Sequence, residues 1–293
     1  MNSPLVSCII ILTANDKFVS KRLIPSILEN SNPDDIEIIV VHNGLHPNKD
    51  DFKDYIFLES DFGWVSKAIN NGVNAAAGKY ISIFHDDCLI LDKEWINKCK
   101  ELLEDNCVAV SPEIHSNPYF TVFKNVPLFM EKEKFIELGG YDENIFVGSE
   151  DIEFTLRVFS GGNKISKVDI DYKHYKGMST VILYNTDDKT DYTAIFADDK
   201  IDGKEIEMKA AECIEELTQN EWANIIYMRD TVYIVNKYRD YLIHSFNFKL
   251  INLAEYFKKQ LEKYKDSPLL DEIEGNDRFA FIYKKFFERK LSR

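Results

Sequence analysis

The residues best equipped for chemistry are His85, Asp86 and Asp87, which close the apolar run Tyr80-Ile81-Ser82-Ile83-Phe84. A run of that length fits a buried parallel strand, and polar groups at the carboxyl end of such a strand sit where open α/β sheets bind ligands. Adjacent carboxylates repel unless a cation, an arginine or a shared proton relieves them, so the pair suits a divalent metal carrying phosphate oxygens. The same residues also fit a solvated turn and helix start. A phosphatase of the strand-end aspartate type needs its nucleophilic Asp two residues before its acid, a spacing that His85-Asp86-Asp87 does not supply. Three further segments offer polar groups near predicted strand or helix ends: Thr13-Ala14-Asn15, His42-Asn43-Gly44 and Glu150-Asp151. With His174 they can line one cleft.

The elements that must position these groups alternate along the chain. Leu5 to Leu12 is almost wholly apolar, as a strand covered on both faces would be, and runs into Thr13-Ala14-Asn15. Lys17 to Asn30 has helical apolar spacing, and Ile36 to Val41 is a second β-branched strand, which makes a βαβ unit and a parallel sheet. Tyr55 to Leu58 is a short third strand. Val65 to Ala77 reads as a helix closed by Gly78, and Glu94 to Asn106 as a helix after the aspartates. Cys107 to Ser111 reads as a strand, Glu131 to Leu138 as a helix stopped by Gly139-Gly140, and Glu150 to Phe159 as a helix stopped by Gly161-Gly162. A strand-like piece from Lys164 to Asp171 leads to His174. Past about residue 185 a polar linker, 185–191, precedes helical periodicity in Glu205 to Leu217, Trp222 to Phe246 and Leu250 to Tyr264. The chain therefore divides into 1–184, an α/β domain, and 185–293, a helical C-terminal region.

Composition sets the outer bounds. The 293 residues are 45% hydrophobic and 29% charged, with 20 Phe and 15 Tyr, a folded rather than disordered class. A net charge of -14 argues against broad nucleic-acid binding, which needs a basic footprint. Cys8, Cys88, Cys99, Cys107 and Cys213 show no paired spacing and read as reduced thiols of a cytoplasmic protein. The first residues lack the pattern of a secretory leader, and no apolar run reaches the roughly 20 residues needed to span a bilayer.

The ordered set of strand-end groups resembles a family 2 glycosyltransferase with the GT-A fold, over about residues 5–180. The resemblance is carried by the strand into Thr13-Ala14-Asn15, the strand into Val41-His42-Asn43-Gly44, and Ala68-Ile69-Asn70-Asn71-Gly72 leading to Ala77-Gly78-Lys79-Tyr80 before the aspartates. Gly139-Gly140-Tyr141-Asp142-Glu143, Gly148-Ser149-Glu150-Asp151-Ile152-Glu153 and Arg157 complete it. It implies a mostly parallel, Rossmann-like sheet flanked by helices, and inverting transfer of a sugar from a nucleoside diphosphate donor. Asp87 matches the last position of the family's DxD metal motif, with Asp86 toward the ribose or metal shell and His85 replacing the usual first Asp. Asp151 matches the base that takes the acceptor's proton, and Glu150 the residue beside it that helps place the acceptor. Glu150 also fits a helix N-terminal acid complementing the dipole. His174-Tyr175-Lys176-Gly177-Met178-Ser179 resembles an H-x-x-G-x-S segment that supplies a further metal ligand or diphosphate contact, so the metal set is Asp87 and His174 with Mn²⁺ or Mg²⁺. Lys176 of the same segment can reach phosphate or remain a surface lysine.

Thr13 and Asn15 match the base-and-ribose pocket, while His42 and Asn43 stand where the family's second strand usually ends in Asp and can bond the edge of a UDP- or dTDP-sugar. Asn70 and Gly72 are either donor-site or architectural residues, and Trp64 either stacks on a ligand or belongs to the core. The acceptor is a saccharide or a lipid-linked glycan, selected in part by loops around Ser116 to Asn125. Arg278 to Arg293 is basic and aromatic, which suits contact with the inner face of a membrane, or docking on its own domain or a second copy of the chain. A catalytically silent binding module and a sugar-nucleotide hydrolase or nucleotidyltransferase are the rival readings.

Overall fold

The computed structural model describes residues 4–44, 48–61, 64–104, 106–116, 119, 121–145, 149–184, 192–198, 202–218, 220–245 and 247–269. The linker 185–191, Gly148 and the basic segment 278–293 lie outside them. The strands in chain order are β1 (Val6–Leu12), β2 (Ile36–His42), β3 (Ile56–Glu59), β4 (Tyr80–His85), β5 (Cys88–Ile90), β6 (Cys107–Ser111), β7 (Ile114–Ser116), β8 (Thr121–Phe123), β9 (Leu128–Glu131), β10 (Lys164–Lys167) and β11 (Tyr172–His174).

Seven of them form one sheet in the order β10-β6-β9-β4-β1-β2-β3. β9 runs antiparallel to β4 and β6, and the remaining neighbours are parallel. β1 shows why the sheet is buried on both faces. Its seven residues are all buried; Cys8, Ile10 and Leu12 join one apolar cluster, and Ile9 and Ile11 join the cluster on the other side. β4 divides in the same way, Tyr80 and Phe84 against Ile81 and Ile83. The helix Val65–Ala75 covers one face, and its Gly72 meets β1 and β2 so closely that a Cβ there would lie 2.4 Å from Ile9 Cγ2. Gly72 is thus required by helix–sheet approach.

Register sets the site. Leu12 pairs with His42 and Ile11 with His85, so β1, β2 and β4 end level and deliver Thr13, Asn43 and Asp86 side by side. Of the piece expected as one strand from Lys164 to Asp171, only β10 is a strand, in the main sheet; β11 begins just past it and pairs antiparallel with β5 in a separate ribbon that sets His174 opposite Cys88. The helix expected to end at Gly78 ends at Ala75, because Ala76 already has extended dihedrals.

Beyond residue 192 every described element is helical: Tyr192–Ala197, Gly203–Thr218, Glu221–Lys237, Arg239–His244, Phe248–Leu261 and a short turn at Glu262–Tyr264. The expected single helix Trp222 to Phe246 breaks at Tyr238, whose hydroxyl turns in to donate to the buried Glu153 carboxylate. These helices share cores with the sheet. Phe196, Ile206 and Ala210 belong to the cluster that contains Leu12 and Phe84, while Ile234, Val235, Tyr238 and Leu242 pack on Ile145 and Leu156. No helix among the described residues is long and apolar enough to cross a membrane. All five cysteines are free and buried.

Charge also ties the helices down. Lys237 Nζ reaches Asp142 Oδ2 at 2.6 Å and Glu153 Oε1 at 2.7 Å, and the Tyr233 hydroxyl donates to Asp142 Oδ2 at 2.8 Å. Burial alone would raise the Asp142 pKa, but Lys237, the Asn144 N–H and Tyr233 outweigh it and bring it from 3.8 to about 2. A carboxyl whose pKa is depressed on folding stabilises the fold above its unfolded value, and that contribution fades as pH falls through the folded one. Asp142→Asn should therefore cost about 1 kcal/mol at neutral pH, allowing for solvent screening. The difference from wild type, followed by urea unfolding, should vanish between pH 4 and 2.

Candidate functional site

The site is built around Asp86 and Asp87, both buried, in the turn between β4 and β5. Asp86 Oδ2 accepts the backbone N–H groups of Thr13 at 2.8 Å and Ala14 at 3.1 Å, and its Oδ1 accepts the Ser179 hydroxyl at 2.6 Å. Ser179 in turn accepts from Asn15 Nδ2 at 2.8 Å, and the Thr13 hydroxyl donates to Asn43 Oδ1 at 2.8 Å. Asp86 thus fastens the end of β1 to the start of the helix Met178–Tyr184. Gly44 lets β2 join this arrangement, since a Cβ there would fall 1.6 Å from the Thr13 carbonyl oxygen.

Asp87 makes different contacts. Its Oδ2 accepts the Gly177 N–H at 3.0 Å and its carbonyl accepts the Tyr175 N–H at 2.8 Å. Lys176 at φ 37 and Gly177 at φ 97 curl the chain to present those groups, a left-handed conformation that a lysine adopts only when its surroundings impose it. His174 Nε2 lies 3.4 Å from Asp87 Oδ1, an oxygen that is buried without a hydrogen-bond partner. The three marked positions of His174-Tyr175-Lys176-Gly177-Met178-Ser179 therefore all contact the aspartate pair: His174 and Gly177 reach Asp87, and Ser179 reaches Asp86.

The electrostatics separate the two aspartates. Burial and the charge of Asp87 push the Asp86 pKa up despite three hydrogen bonds. Burial also opposes ionisation of Asp87, but His174, His85 and the Gly177 N–H prevail and hold it below the ordinary carboxylate range. His174 is raised to about 9, burial being outweighed by Asp87 and Glu113. Glu113, which sequence reasoning missed, accepts from His174 Nδ1 at 2.7 Å and pairs with His115 Nε2 at 2.7 Å. Despite burial its pKa falls to about 2. Glu113 follows β6 within two residues, so it lay at a strand end like the others; the intervening Pro112 made the segment read as a turn.

A second missed residue, Lys124, pairs with Asp151 Oδ2, while Asp151 Oδ1 is buried with no hydrogen-bond partner. Asp151 and the buried Glu150 open the helix Glu150–Ser160, which stacks Phe154 on Tyr141 with ring centroids 4.7 Å apart. The Lys124 backbone N–H donates to the Glu113 carbonyl at 3.1 Å. Short contacts therefore run in sequence from Asn43 through Thr13, Asp86, Asp87, His174, Glu113 and Lys124 to Asp151. His85 belongs with them: its ring interacts with Asp87, His174, Lys124 and Asp151, its Nε2 is buried without a hydrogen-bond partner, and burial lowers its pKa. His42 is buried at the end of β2 and stacks on Phe57, centroids 6.2 Å apart.

Asn70 goes elsewhere. Its Nδ2 donates to the Tyr141 carbonyl and to Glu143 Oε1, both at 2.9 Å, and its Oδ1 accepts the Tyr141 N–H at 2.9 Å, so its amide secures the turn after Gly139-Gly140. Trp64 Nε1 donates to the Glu143 carbonyl at 3.2 Å, beside the same turn. Among the described residues no group of three or more His, Cys, Asp or Glu side chains is placed to hold a metal ion by itself.

Among solved structures, the chain is similar to mannosyltransferase PcManGT from Pyrobaculum calidifontis in complex with GDP-Man and Mn²⁺, at 14% identity over 87% of each chain and a TM-score of 0.47. It is similar to S. aureus TarS 1–349 at 10% identity, over 88% of this chain and 91% of that one, with a TM-score of 0.48. To GalNAc-T7 with UDP, GalNAc and Mn²⁺ it is similar at 12% identity, over 59% of this chain and 43% of that one, with a TM-score of 0.50. The last likeness, with the strand order above, gives the fold as GT-A. No curated protein matches the sequence. The family model described as Glycosyl transferase family 2 matches residues 8–164, from β1 to the start of β10. That match takes in more than half of the chain and the strand ends that bear Thr13, Asn43, Asp86 and Asp87, and on it the protein belongs to glycosyl transferase family 2.

Proposed function

We propose that this protein is an inverting glycosyltransferase that moves a sugar from a nucleoside diphosphate sugar to a hydroxyl of a saccharide or lipid-linked acceptor. One observation carries the reading: Asp87 Oδ1 and Asp151 Oδ1 are both buried in the strand-end cluster without hydrogen-bond partners. An unsatisfied buried polar atom costs about 1–3 kcal/mol, so the open oxygen of Asp151, and that of Asp87, met only by the His174 ring at 3.4 Å, suit contacts with a ligand.

At Asp87 the donor set suits Mn²⁺ or Mg²⁺. His174 Nε2 stands 3.4 Å from the unpartnered oxygen, and Glu113 holds the opposite ring nitrogen, the arrangement by which carboxylates orient metal-binding histidines. The likeness to GalNAc-T7, whose structure holds Mn²⁺ and UDP, supports a divalent metal as cofactor. Asp87 and His174 would hold the cation together with the donor's diphosphate, and the bound cation supplies neutralising charge to the leaving group.

At Asp151 the free oxygen suits a base. The acceptor oxygen attacks the anomeric carbon from the face opposite the diphosphate and the carbon–oxygen bond to the diphosphate breaks. The bonding pair leaves with the diphosphate, and the acceptor's proton passes to Asp151 Oδ1. Glu150 lies beside it to help place the acceptor. The donor's base and ribose would lie against Thr13, Asn15, His42 and Asn43, where the unpartnered Asn15 Oδ1 and Asn43 Nδ2 offer an acceptor and a donor that match the N–H and carbonyl of a uracil or thymine edge. Asp86 shapes that part of the site by fixing Thr13, Ala14 and Ser179.

Residues 1–184 then hold the chemistry, and 185–293 serve as accessory helices, with 278–293 touching a membrane surface or another copy. The setting is cytoplasmic polysaccharide synthesis. Incubating the protein with UDP- and dTDP-sugars, Mn²⁺ and saccharide acceptors should release nucleoside diphosphate only when metal and acceptor are both present. Release of free sugar without acceptor would make it a hydrolase, and binding without turnover a silent module.

A further inference from the structure

We infer that Lys124 positions the base: its ammonium holds Asp151 Oδ2, so that Oδ1 alone is left to take the acceptor's proton. The inference rests on the proposed role of Asp151.

Lys124 starts from a fixed point. Its backbone N–H donates to the Glu113 carbonyl at 3.1 Å, and its carbonyl accepts the Ser111 hydroxyl at 2.7 Å. The next residue is also held, the Asn125 carbonyl accepting the His85 N–H at 3.0 Å and its Oδ1 the Tyr141 hydroxyl at 2.8 Å. From that anchored backbone the side chain crosses to the helix Glu150–Ser160 and ends on one carboxylate oxygen of Asp151, whose side chain is 5% exposed. Burial opposes the Lys124 charge, but Asp151, Glu150 and Glu113 outweigh it, so the ammonium keeps its proton.

The helix does not depend on this contact for docking. Phe154 stacks on Tyr141, Leu156 packs with Ile234 and Leu242, and Glu153 is bound by Lys237 and Tyr238. What Lys124 adds is rotational. A carboxylate held at neither oxygen can turn about its terminal bond, whereas one held at Oδ2 presents Oδ1 in a single direction. Misplacing a reacting group by about 1 Å costs on the order of 10²-fold in rate.

The test is steady-state kinetics on Lys124→Ala, Lys124→Arg and Asp151→Asn with a donor that the wild type turns over. Lys124→Ala should lose about 10²-fold in kcat with donor KM changed less than about 2-fold. Lys124→Arg should stay within about 10-fold of wild type. Added ethylamine should restore Lys124→Ala, by returning an ammonium to the vacated space, and should leave Asp151→Asn inactive. An unchanged kcat in Lys124→Ala overturns the inference, as does a raised donor KM at unchanged kcat, which would place the ammonium on the diphosphate. Should the alanine variant not fold, Lys124→Met, which fills the space without a charge, should show the same loss of kcat, and a folded Lys124→Met with wild-type kcat overturns the inference. Wild-type turnover in Asp151→Asn would instead remove the base assignment itself, whatever Lys124 does.

Discussion

Asp151→Asn should lower kcat for glycosyl transfer by about 10³-fold while leaving donor affinity close to wild type, since a positioned general base contributes roughly 10²–10⁴. The substitution is nearly isosteric. Its amide oxygen can still accept from Lys124, so the side chain keeps its place, but an amide nitrogen at the place of Oδ1 cannot take a proton. The loss should therefore appear in kcat, with the Kd for nucleoside diphosphate measured by calorimetry moving less than about 3-fold. The neighbouring Glu150→Gln should act mainly through acceptor KM. Turnover of Asp151→Asn within tenfold of wild type would transfer the base to another group.

Asp87→Ala should abolish metal-dependent donor binding, with a loss of at least about 100-fold in Mn²⁺-assisted affinity for nucleoside diphosphate. Even partners that only orient a metal ligand are worth 10–100-fold. Asp87 is more central than such a partner. Its Oδ1 faces His174 Nε2, and its Oδ2 fixes the Gly177 N–H at the strained Lys176-Gly177 turn. Asp86→Ala should differ in kind: with both oxygens already engaged by Thr13, Ala14 and Ser179, its removal should lower the melting temperature and weaken donor binding with or without metal. In a thermal-shift experiment the increment that Mn²⁺ and UDP give together should disappear in Asp87→Ala and be only reduced in Asp86→Ala. A full Mn²⁺-dependent increment in Asp87→Ala would remove the metal from this residue.

How much of this was legible follows from the range of the forces involved. The β-branched runs of β1 and β2 and the apolar run of β4 announce strands because a strand buried on both faces must be apolar throughout. Their polar ends, Thr13, Asn43 and Asp86, were legible because parallel pairing in register brings strand ends together. The division of labour between the aspartates was visible only in outline. Asp87 faces His174, but that Asp86 is engaged on both oxygens depends on Ser179, 93 residues away. Glu113 sits at a strand end but Pro112 disguised it, and nothing local marks Lys124; each acts through a partner more than 25 residues distant. Asn70 shows the reverse case, a motif residue whose amide is taken up by the turn it secures. The packing of the C-terminal helices into the sheet's own core was also beyond the pattern, since amphipathic spacing reveals an apolar face and not the surface it meets.

Single-displacement transfer at Asp87, His174 and Asp151 must invert the anomeric centre. Proton NMR of the product formed by the wild type from an α-configured nucleoside diphosphate sugar tests it most directly. One equivalent of nucleoside diphosphate should be released for each β-configured linkage formed; an α-configured product, or free sugar in place of a linkage, would contradict it.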